Sequence, residues 1–101
     1  MSKETLRNWV KENAEGLMPE IHFTDEDIDH ISMCMWNILE WYYHDLPLGH
    51  FLTAVVKNDF AEACIRADIP NRKGLYLYAL FLYNKMPFDW RDKLKSKRQD
   101  S

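Results

Sequence analysis

The feature that most constrains this chain is the run from Thr24 to Tyr43. Thr24 is followed by Asp25, Glu26 and Asp27, a pattern that starts a helix. The hydroxyl caps open N–H groups, and the acids meet the positive end of the helix dipole. Phe23 before the cap and Ile28 after it are spaced for a hydrophobic staple. Ile28, Ile31, Met35, Ile38 and Tyr42 then recur at intervals of three and four, which places them on one helical face. Trp36, Leu39 and Tyr43 widen that face on one side, Cys34 and Trp41 on the other, to an arc of roughly 220°. Asp29, His30, Met33, Asn37, Glu40 and His44 are left facing outward. A helix apolar over so much of its circumference needs neighbours on several sides, so it is expected at the centre of the fold.

The other elements read as shorter helices arranged around this one. Residues 2–14 form a helix capped by Ser2, with Leu6, Trp9, Val10 and Asn13 on one stripe; Gly16 is expected to end it and Pro19 to block its continuation. After the turn Asp45–Gly49, a short helix runs from His50 to Lys57. Asn58 and Asp59 break the chain and cap a second short helix, Phe60 to Ala67. Ala61, Ala63, Cys64 and Ala67 are small enough to let that helix lie close to a neighbour. Asp68 caps a last long helix, Pro70 to Lys85, with proline in the first turn, where its missing N–H costs nothing. Pro87 ends it. The expectation is an all-α fold: a compact single domain of five to six short-to-medium helices over residues 1–88, followed by a basic, frayed tail over 89–101. Trp36, Ile38, Leu39, Phe51, Val55, Leu75, Tyr78 and Leu82 are the expected core.

Composition agrees with a globular chain. Of 101 residues, 47% are hydrophobic and 14% aromatic, and three glycines and four prolines are too few for an all-β protein rich in tight turns. Charge is unevenly placed. Residues 1–30 carry 3 Lys or Arg against 8 Asp or Glu, whereas residues 85–101 carry 6 against 3, which sets an acidic front against a basic tail. Ser2 to Asn13 holds no apolar segment of a secretory leader, and the apolar run Leu75–Tyr83 falls well short of the roughly 20 residues a membrane helix needs. A cytoplasmic protein is expected, with Cys34 and Cys64 as buried free thiols.

No catalytic or metal signature stands out. His30 and Cys34 are spaced i, i+4, but a zinc site needs three or four ligands, and neither Cys-x-x-Cys nor His-Glu-x-x-His occurs. Cys64 lies between Ala63 and Ile65, a setting that keeps a thiol inert. Gly-x-Ser-x-Gly and P-loop motifs are absent, and Asp59 with Glu62 reads as a capped helix start rather than an acid–base pair. The tail lysines Lys93, Lys95 and Lys97 with Arg98 read as solvated, so nucleic acid is not an expected partner. No cofactor is expected. The polar junctions are the candidate ligand site: Asn58 and Asp59 at one helix break, Arg66, Asp68, Asn71, Arg72 and Lys73 at the next, and Tyr76 one turn on. These residue types cap helices in any helical domain, and Arg66 has acids within reach to pair with. The functional reading is that the two breaks, about 10–14 Å apart, border one recess. In it Asn58 reads a polar edge, Arg66, Arg72 and Lys73 meet negative charge, and Tyr76 stacks on a base.

The pattern Pro47-x-Gly49-x-Phe51-Leu52-x-Ala54-Val55-x-x-Asn58-Asp59-Phe60, with Ala63, Arg66-Ala67-Asp68, Asn71, Leu82-Tyr83-Asn84 and Pro87, resembles a family of small proteins encoded by tailed phages and related mobile elements. It covers about 40 of the 101 residues. The resemblance implies origin rather than mechanism. The expected function is that of a small non-enzymatic accessory protein that blocks or sequesters a host factor in counter-defence, the target being a host protein or a small nucleotide signal. A small hydrolase using Asp59 or Asp68, or a DNA-binding regulator, are the alternatives. The apolar surplus of Thr24–Tyr43 and Pro70–Lys85 also predicts a homodimer or larger assembly.

Overall fold

The computed structural model describes residues 1–99, with side chains through Leu94. Among these residues the chain is all α, in seven helices rather than the expected five to six: α1 (Lys3–Leu17), α2 (Asp25–His44), α3 (His50–Val56), α4 (Phe60–Arg66), α5 (Ile69–Lys73), α6 (Leu75–Asn84) and α7 (Trp90–Gln99). The Cα radius of gyration, 13.3 Å, is that of a packed domain of this length, about 13 Å. No described helix is long and apolar enough to cross a membrane.

α2 is the central element. α1 lies along one side of it, α5 crosses another, and α3 also touches it. Its start is a full capping box: Thr24 Oγ1 accepts from the Asp27 N–H, and Asp27 Oδ2 accepts from the Thr24 N–H, each at 3.0 Å. Both halves of the box lie within one turn of the core residue Ile28. Thr24→Ala is therefore expected to lower stability by about 1 kcal/mol, read as a shift in the urea midpoint at unchanged slope. A change within error would show that the box adds nothing.

α1 docks through Leu6, Val10 and Ala14, spaced i, i+4, i+8 and all fully buried. It runs past Gly16, which was expected to end it. No glycine in the chain has a positive φ, so Gly16 does not form the left-handed terminator; Met18 caps the helix and Pro19 follows. α3 stops in a Schellman turn. Asn58 sits at φ 58°, its N–H donates to Val55 O, and the Asp59 N–H donates to Ala54 O.

The expected helix Pro70–Lys85 is two helices, broken at Gly74. A Cβ at Gly74 would lie 2.7 Å from Cδ1 of Ile31, so a bare backbone lets this corner press onto α2. The corner sets the phase of α6 and corrects the expected core. Leu77, Tyr78, Phe81 and Leu82 turn inward, while Leu75 is only half-buried. Trp36, under the Lys3 ammonium, and Phe51, edge-on to Tyr78, are likewise half-buried rather than core. Both cysteines are half-buried free thiols.

Trp90, placed by the sequence in the basic tail, opens α7 and is buried against the rest. Tyr42 donates to Asp89 at 2.7 Å, and Lys93 donates to Asp45, tying the start of α7 to the end of α2. The side chains of Lys95, Lys97 and Arg98 lie outside the described residues, as do Asp100 and Ser101.

Candidate functional site

α3, α4 and α6 leave a groove between them. Its floor and walls are Ala54, Val55, Phe60, Ala63, Leu75, Tyr76, Tyr78, Ala79 and Leu82, with Asn58 and Asp59 at one end; its volume is about 340 Å³. Alanines on both α4 and α6 create the space, because side chains of that size cannot meet across it. The rim carries two of the exposed aromatics, Phe60 at 75% and Tyr76 at 53% exposure. Apolar surface of this kind, open to solvent beside a recess, marks a binding site more often than a packing accident.

The groove gathers three of the residues singled out from the sequence: Asn58, Asp59 and Tyr76. The other five do not line it. Arg66 Nε donates to Glu62 at 2.7 Å, an i, i+4 pair on the outer face of α4. Arg72 is exposed and donates from Nε to Ala67 O at 3.3 Å. Lys73 is half-buried and donates to Asp27 at 2.7 Å and to His22 O at 3.0 Å. Asp68 accepts from the Asn71 N–H, and Asp59 from the Glu62 N–H, so each of these short helices starts on a carboxylate of its own.

Asn71 is buried and belongs to a network that sequence spacing alone did not reveal. Its Oδ1 accepts from the Tyr78 hydroxyl at 2.5 Å, and its amide nitrogen lies 3.9 Å from Cys34 Sγ and 3.4 Å from His30 Nε2. His30 Nε2 is also 2.9 Å from Asp68 Oδ2 and 3.8 Å from Cys34 Sγ. Burial pushes the Cys34 thiol up, and burial pushes the Tyr78 hydroxyl well up, so both are neutral hydrogen-bonding groups at physiological pH. A thiol held neutral in this way is a poor nucleophile. Among the described residues, no three His, Cys, Asp or Glu side chains are grouped so as to hold a metal ion. The network instead fixes Tyr78, a wall of the groove, to α5 and α2. Only the i, i+4 spacing of His30 and Cys34 hinted at it.

The Asp27–Lys73 pair holds α5 to the start of α2. The hydrogen bond from Lys73, followed by the backbone N–H of Thr24, keeps the Asp27 carboxyl below its ordinary value of 3.8. A depressed carboxyl contributes stability that is fully present above the unfolded value and is lost as pH falls through the lower folded one. Lys73→Met is thus expected to be less stable than the wild type at pH 7, with the gap narrowing as pH drops below 3.8. Thermal unfolding across pH 2–7 reads this; a gap constant with pH would mean that Lys73 acts only through its packing.

Comparison of the chain with protein-family models, with curated proteins and with solved structures gives no match.

Proposed function

We propose that this chain is a small, non-enzymatic binding protein that blocks or sequesters a host protein by holding part of it in the α3–α4–α6 groove. The groove itself carries the reading: an apolar recess with two exposed aromatics at its rim. A protein partner is favoured over a nucleotide by charge. Among the described residues the one charged side chain lining the groove is the carboxylate of Asp59; Arg66 and Lys73 are paired with acids elsewhere, and Arg72, off the groove, donates to the Ala67 carbonyl. A phosphate placed beside Tyr76 would face that carboxylate without a cation opposite it. A phage origin of the kind the resemblance implies would make a bacterial host the source of the target; counter-defence is the setting we propose for it.

Ala79→Arg fills the groove from an exposed position on α6 and leaves the core untouched. Wild type and variant are expressed in the same host and weighed natively, then denatured, after purification. The expected result is a host protein held by the wild type and lost from the variant. A partner retained equally by both would overturn the reading. So would calorimetric binding of a nucleotide that Arg72→Ala with Lys73→Ala abolishes.

A further inference from the structure

We infer that the groove takes an amphipathic helix of its partner, with apolar side chains at i, i+3 or i+4, and i+7, and a Lys or Arg directed at Asp59. This rests on the groove reading above and names the kind of segment that fills it. Length is the first reason. On α6 the groove is lined by Leu75, Tyr76, Tyr78, Ala79 and Leu82, a span of about 10 Å or two helical turns. That is the reach of one helix face presenting three anchors. Height is the second. Ala54, Ala63 and Ala79 keep the floor low, which lets another helix backbone settle close, as small residues do wherever helices cross tightly. An extended peptide finds less here: among the described residues there is no strand whose open edge could pair with its main chain.

Charge supplies the third reason. Asp59 is exposed at the end of the groove, its carboxylate accepts the Glu62 N–H at a long 3.3 Å, and it has no ion pair among the described residues. A guanidinium or ammonium on the guest would complete it, and Asn58 beside it offers a further polar contact.

The test is a displayed library of random 16-residue peptides selected on the whole protein, in parallel on wild type and on Ala79→Arg, with unchanged thermal unfolding of the variant as the control. Enriched peptides are expected to carry the helical apolar spacing with a basic residue, to gain helicity on binding by circular dichroism, and to bind Ala79→Arg at least about 30-fold more weakly. Asp59→Asn is expected to weaken them about fivefold and to flatten their salt dependence. Proline-rich or strictly alternating winners that Ala79→Arg still blocks would overturn the helix while leaving the groove in place. Winners indifferent to Ala79→Arg would overturn both, and an empty selection would overturn the helix. A protein that is dimeric by light scattering at micromolar concentration, and monomeric as Ala79→Arg, would make a second copy the occupant and overturn the partner helix.

Discussion

Phe81→Ala is expected to lower stability by about 3–5 kcal/mol, the largest single effect anticipated in this chain. Phe81 is fully buried on α6, and its ring meets Trp9 of α1 edge-on, with centroids 6.2 Å apart and planes at 64°. Truncation removes an aromatic side chain from the core and leaves a cavity that Leu77 and Leu82, held on the same helix, cannot close. It also ends an aromatic pair worth about 1 kcal/mol beyond its burial. Since a domain of this size has a total stability of about 5–15 kcal/mol, the variant is expected to unfold at much lower urea or to be unfolded outright. Phe81→Leu keeps most of the volume and should recover more than half of the loss. If Phe81→Ala costs less than about 1 kcal/mol, the α1–α6 contact is not part of the core.

Asn71→Ala is the second. It removes the oxygen acceptor of the Tyr78 hydroxyl, on a side chain only 2% exposed, and leaves only the weaker Cys34 thiol beside it; a poorly satisfied buried donor costs about 1–3 kcal/mol. Tyr78→Phe removes the donor instead and leaves Asn71 Oδ1 unpaired. The double variant Asn71→Ala/Tyr78→Phe removes both partners, so its cost is expected to fall short of the sum of the two singles by about 1 kcal/mol or more. Strict additivity in the cycle would show that the 2.5 Å contact contributes nothing net. Because Tyr78 also forms a wall of the groove, both single variants are expected to weaken partner binding at temperatures where they remain folded.

Much of this architecture was legible in the chain itself. The capping pattern at Thr24, the three-and-four spacing of Ile28, Ile31, Met35 and Ile38, and the cap residues Asp59 and Asp68 are local signals. Each works through atoms a few residues apart, so sequence spacing is enough to read them. The all-α class follows from the same signals. The phase of α6 was not legible. Leu75 to Tyr83 is apolar nearly all round, so periodicity does not say which side turns inward; the contact of Gly74 with Ile31, 43 positions away in sequence, decides it. Helix count differs there and at the tail: Gly74 separates α5 from α6, and α7 forms where a frayed tail was expected.

The site divided along the same line. Sequence by itself placed Asn58 and Asp59 at a polar break between short helices and Tyr76 one turn beyond the next break, and it supplied the alanines that make a recess possible. Only the tertiary structure decided that these three face one groove, that Lys73 is taken by Asp27, and that Asn71 is buried under Tyr78. The physical reason is range. A cap or a stripe is set within one or two turns of chain. An ion pair spanning 46 positions, or a groove between three helices, exists only once the backbone has brought distant segments together, and no local pattern encodes which charges will meet.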